Sequence, residues 1–146
     1  MQTKKPILPL LFLTFCVGCG GTNVQISGKV TYPDGEPMPG GTICFDNGTT
    51  SAIGHIQGDG TYTLGSLKPR DGIPKGMYAV YFMGTKSPGT DPKSGREGVL
   101  ERVSPKFKSS STSGLQYEVT GRATGIDFIV DYPLPTGFLV TPLEEG

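Results

Sequence analysis

The chain has no tryptophan, one histidine and three cysteines in 146 residues, and its formal net charge is zero. Each shortage removes a class of function. Balanced charge leaves no basic footprint for nucleic acid. His55 has no second imidazole and no free cysteine pair to complete the four ligands of a zinc site. A hydrolytic histidine also needs a nucleophile and an orienting acid, and the pattern around His55 places it opposite Gly54 and Ile56, facing solvent. Without tryptophan, a stacking platform for sugars is poorly supplied. Asp34, Asp46 and Asp59 fall at expected strand ends, but no D-x-D-x-D-G loop surrounds them. Asp-Gly turn chemistry accounts for Asp34 and Asp59 without an ion. The glycine clusters are not followed by Lys-Ser/Thr and a helix, so they form no phosphate loop. No catalytic residue, cofactor or metal ligand is assigned, and an enzyme is not expected.

A membrane-spanning run is missing too. Ile7 to Val17 is mostly apolar but roughly a dozen residues long, against about 20 for a spanning helix, and Pro9 interrupts it. With Lys4 and Lys5 ahead of it, the run reads as the apolar region of a signal peptide.

What the chain does have is glycine (23) and proline (13), together about a quarter of all residues. Between these clusters lie short alternating segments. Val24, Ile26, Val30 and Tyr32 alternate with Gln25, Ser27, Lys29 and Thr31, the period of a half-buried strand. Asp34-Gly35, Asn47-Gly48 and Asp59-Gly60 mark reversals. Further strands are expected at Thr42 to Asp46, Ser51 to Gln57, Thr61 to Leu64, Met77 to Met83, Leu115 to Thr120 and Ile126 to Val130, the last two as a closing hairpin. This predicts an all-β fold, a seven-stranded antiparallel β-sandwich. Tyr78, Val80 and Phe82 face inward. The other face of the same strand carries Met77, Ala79, Tyr81 and Met83, and Met77, Tyr81 and Met83 form a candidate interaction surface. Gly84 to Ser113 reads as a long irregular segment, with a short helical turn at Val99 to Val103. Pro133 to Gly146 reads as a proline-rich, loosely held extension.

Val17-Gly18-Cys19, at the end of the apolar run, resembles a bacterial lipobox, although Cys16 stands where leucine is usual. The resemblance implies a lipoprotein signal peptide over 1–18, removal of Met1 to Gly18, and diacylglycerol and fatty acyl (palmitate) chains on Cys19, with 19–23 as a tether. Membrane lipid is then a partner, since two or three acyl chains on one residue hold a protein on a bilayer. Gly20 in place of aspartate implies the outer membrane of the cell envelope over the inner. On this reading Cys44 has no partner within its own chain. Between Ile43 and Phe45 it is expected to point away from their face as a small surface residue, with an intermolecular disulfide as the alternative.

Residues 24–132 resemble the carboxypeptidase regulatory-like domain, a transthyretin-like β-sandwich found in small bacterial lipoproteins. The matching pieces are G-K-V-T-Y, D-G-E-P-M-P-G-G-T-I-C-F, A-I-G-H-I-Q-G-D-G-T-Y-T-L, G-I-P-K-G-M-Y-A-V-Y-F, S-P-K-F-K before T-S-G-L, and G-I-D-F. Gln57 stands where an acid is common. The resemblance implies a non-catalytic structural or protein-interaction module whose partners are other envelope proteins. The alternative is a carbohydrate- or small-ligand-binding module, taking polysaccharide on the segment from Gly84 to Ser113 and the Met77/Tyr81/Met83 face.

Overall fold

A computed structural model describes residues 22–91, 94–133 and 139–142. The expected signal peptide, Cys19, most of the tether and most of the C-terminal extension lie outside the described residues. Strands run at β1 (Ser27–Thr31), β2 (Thr42–Asp46), β3 (Ser51–His55), β4 (Thr61–Thr63) and β5 (Gly76–Met83). They continue with β6 (Lys86–Thr90), β7 (Glu97–Glu101), β8 (Leu115–Val119), β9 (Phe128–Ile129) and β10 (Leu139–Pro142). One 3-10 turn, Pro105–Lys108, sits between β7 and β8. Among the described residues no helix is long and apolar enough to cross a membrane.

The fold is all-β and mostly antiparallel. The sheets run β3-β2-β5-β8, β4-β1-β9 and β10-β7-β6. The first two turn their apolar faces to one shared core, an arrangement consistent with a β-sandwich. Alternation explains the inward set: Ile43 and Phe45 from β2, Tyr78, Val80 and Phe82 from β5, and Val30 from β1 are all buried. Phe45 joins the layers. Its ring lies 6.2 Å from Tyr117 in its own sheet and 5.9 Å from Phe128 in the facing one, both edge to face. The turns are built as their residues suggest. Gly35, Gly48 and Gly60 hold φ of 88°, 83° and 83°. The side-chain oxygen of Asn47 accepts the N–H groups of Thr49 and Thr50 at 3.0 and 2.7 Å.

Four expectations need correction. First, Gly84 to Ser113 is not irregular: β6 and β7 pair antiparallel, Lys86 opposite Glu101 and Thr90 opposite Glu97. Val99 to Glu101 belongs to a strand rather than a helical turn, and the turn comes later, opened by Pro105 at its start. The acid that obscures β7's pattern, Glu101, is buried because it is satisfied. Its carboxylate accepts from the Thr85 hydroxyl, from Lys108 Nζ at 2.7 Å and from the Arg102 N–H at 3.2 Å.

Second, β8 and β9 form no hairpin. β8 pairs with β5, Tyr78 opposite Tyr117, while β9 lies parallel to β1, Val30 opposite Phe128. Gly121 to Gly125 therefore carries the chain from one layer to the other. Third, part of the C-terminal extension is held: Leu139–Pro142 adds to β7 as an antiparallel strand. Fourth, with these additions the described residues hold ten strands rather than seven.

Candidate functional site

The four-stranded sheet has an outer face, and its registers decide what lies there. Cys44 on β2 is opposite Tyr81 on β5 and Ile53 on β3, and Thr42 is opposite Met83 and His55. The outward side chains of three strands thus form cross-strand rows, one of Ile53, Cys44 and Tyr81, the next of His55, Thr42 and Met83. Met77, Met83 and Ile53 are 54%, 45% and 43% exposed, and Tyr81 is half-buried. The three residues expected to form an interaction surface do lie along one side of one strand. Ile53, which the sequence reading did not include, extends the apolar area onto the edge strand. The outward position in the alternation Ala52, Ile53, Gly54 was the available signal.

Cys44 departs from expectation. It points outward, as expected, yet is only 1% exposed, because Ile53 and Tyr81 close over it from either side. Burial pushes its thiol up to about 11, against the lowering effect of a hydrogen bond from Tyr81. Burial also raises the Tyr81 phenol, and the neighbouring Cys44 and Asp46 add to it. The row therefore presents an uncharged, unreactive surface.

The other singled-out residues are not brought together. His55 is exposed, with its ring Nδ1 3.4 Å from Thr42 Oγ1. Asp34 accepts the Glu36 N–H at 3.1 Å and the Tyr132 hydroxyl at 3.0 Å. Asp46 accepts the Gly48 N–H at 2.7 Å, and Asp59 accepts the Thr61 N–H and hydroxyl at 3.0 and 2.6 Å. Asp46 and Asp59 each serve their own turn, and Asp34 also ties its turn to Tyr132. Among the described residues no group of three or more His, Cys, Asp and Glu could hold a metal ion.

A cleft of about 470 Å³ opens between β3, β4 and the loop Ser66 to Arg70. His55, Gln57, Thr61, Thr63, Lys68 and Arg70 are among its lining, and no carboxylate is. The loop is locked from behind by Asp71. Its carboxylate accepts the N–H groups of Ser66, Leu67 and Lys68 at 2.6, 3.1 and 3.0 Å. Partial desolvation opposes ionisation, but those donors outweigh it and hold the group below the usual carboxylate range. Arg70 adopts φ +65°, a left-handed conformation that side chains rarely take. At the tip Leu67 is 91% exposed. No protein-family model matches the chain, and no curated protein or solved structure does.

Proposed function

We propose that the protein is a lipid-anchored β-sandwich module of the cell envelope, of the transthyretin-like, carboxypeptidase regulatory-like kind, with a structural or protein-interaction role and no catalysis. Acylated Cys19 ties it to the membrane, the outer in preference to the inner, and the outer face of the four-stranded sheet meets other envelope proteins. The observation that carries this reading is the apolar row on that face. Met77, Met83 and Ile53 stay accessible while Cys44, between Ile53 and Tyr81, is sealed. Side chains of this kind, flat and uncharged, suit the core of a protein contact better than a catalytic pocket.

Two measurements test it. Growth with an alkyne-bearing fatty acid should label the protein, and Cys19→Ser should abolish the label. A photo-crosslinker at Met83 should trap an envelope protein in the intact, anchored chain, and Met77→Lys together with Ile53→Lys should remove that product while leaving the fold. An unlabelled, soluble protein in the envelope would end the anchor reading. Crosslinks unaffected by the two lysines would end the contact reading. The cleft beside His55 supports the second reading, a module for carbohydrate or another small ligand, since its volume falls in the range of about 300–1,000 Å³ usual for ligand sites.

A further inference from the structure

The loop Ser66 to Asp71 is joined to the start of the described chain. Asn23 Nδ2 donates to Ser66 Oγ at 3.2 Å, and the Val24 N–H donates to Ile73 O at 2.9 Å with the reverse bond at 3.0 Å. The contact leaves no slack: a side chain on Gly72 would meet the Val24 carbonyl oxygen at 2.5 Å. Cys19 lies four residues before Asn23, so at full extension it is within about 14 Å of Asn23, which itself bonds the loop. The loop's chemistry suits that position. Leu67 projects 91% exposed, Lys68 and Arg70 flank it as exposed cations, and the one acid of the loop, Asp71, is turned back onto its own backbone N–H groups.

We propose that Ser66 to Asp71 is a membrane-facing foot, with Leu67 entering the headgroup boundary and Lys68 and Arg70 meeting the phosphates of an anionic lipid surface. This rests on acylation of Cys19. The short tether supplies the proximity, and the cation pair with its apolar tip supplies the complementarity. One acyl anchor fixes position but not orientation. A second contact beside it holds the domain at one tilt, so that the exposed face of the four-stranded sheet keeps a constant aspect toward its neighbours.

The absence of tryptophan makes the test direct. Leu67→Trp and, separately, Ile129→Trp place one indole each in the full-length acylated chain, bound to vesicles of equal parts phosphatidylcholine and phosphatidylglycerol. Ile129 is 61% exposed and pairs with Thr31, seven residues and about 23 Å of extended chain beyond Val24. The indole at position 67 should shift to the blue and be quenched by nitroxide-labelled lipid, and the one at 129 should do neither. Lys68→Gln and Arg70→Gly, added to Leu67→Trp, should each lower the docked-to-undocked ratio about fivefold. Glycine at 70 keeps the left-handed backbone accessible. Vesicles of phosphatidylcholine alone should lower the ratio further. A chain that floats with the vesicles but keeps a water-like indole at 67 overturns this inference and leaves the anchor standing. A chain that does not float overturns both. Equal quenching on neutral vesicles overturns the assignment of Lys68 and Arg70 to lipid phosphate.

Discussion

Gly28→Ala tests the packing of the two layers with a single methyl group. Gly28 sits in β1 opposite Tyr62, where the chain leading into β9 passes so close that an added Cβ would lie 1.8 Å from the Ile126 carbonyl oxygen and 2.4 Å from its carbon. Both atoms are backbone, so no rotamer relieves the overlap, and the segment must move by at least about 1 Å. Ile126 itself is held by two bonds. The Tyr62 hydroxyl donates to Ile126 O at 2.6 Å, and the Ile126 N–H donates to Ser27 O at 3.1 Å. Overpacking costs about 1–3 kcal/mol, and each bond lost or stretched adds about 1 kcal/mol. The total is about 3–5 kcal/mol, a large part of a domain's net stability of about 5–15 kcal/mol. With a urea slope near 2 kcal/mol/M the midpoint should fall by about 2 M. Tyr62→Phe should lower stability by about 1 kcal/mol, because it removes one of the two bonds without the overlap. Gly58→Ala, where an added Cβ meets nothing within 4 Å and φ is ordinary, should stay within about 0.5 kcal/mol of the parent. A Gly28→Ala protein as stable as Gly58→Ala would refute the close approach of β1 and Ile126.

Three further outcomes follow from buried polar groups. Lys108→Met leaves Glu101 without its ammonium partner. The lysine side chain is 39% exposed, so the loss should be about 1–3 kcal/mol, below that of a fully buried pair. Desolvation opposes charge on Glu101, but the bonds from Lys108 and Thr85 prevail and lower its pKa. Its stabilising contribution is therefore complete above the unfolded value of about 4.3 and disappears as pH falls through the lower folded value, which urea melts from pH 5 downward can follow. Tyr32 behaves oppositely: burial, then Tyr132, push its phenol up to about 12. Stability should thus be lost as pH rises from about 10 to 12, and less so in Tyr32→Phe, by alkaline denaturation. Cys44 should resist a thiol reagent in the native protein and react in denaturant, as peptide mapping would show. Rapid native labelling would contradict its cover by Ile53 and Tyr81.

The sequence was most readable where one face is buried and the other wet. Tyr78, Val80 and Phe82 alternate cleanly, and β2 runs over the residues expected of it. Alternation assigns faces and not partners, which is why it suggests a hairpin of Leu115 to Thr120 with Ile126 to Val130 although the two strands belong to opposite layers. β6 was illegible for a different reason. Lys86-Ser-Pro-Gly-Thr has no apolar period, and its ladder to β7 rests on backbone bonds and the packing of Leu100 against Gly89. Glu101 hid the end of β7, because only Thr85 and Lys108, distant in sequence, make its burial tolerable. Cys44 shows the limit of a one-strand reading: its direction was legible, but its cover comes from the strands on either side. The foot at Ser66 to Asp71 left no periodic signal, since Asp71 shapes it through backbone donors rather than side-chain pattern.

The parallel pairing of β9 with β1 has a temporal consequence. Val30 meets Phe128, and the Lys29 N–H meets Asp127 Oδ1 at 2.8 Å, 98 positions further along the chain. A polypeptide emerging amino end first presents β1 early and must then hold it half-finished until nearly everything else has been made. Closure of such distant ends is slow and comes last. The edge of β1 that receives β9 therefore stays open until the chain has been made through Ile129.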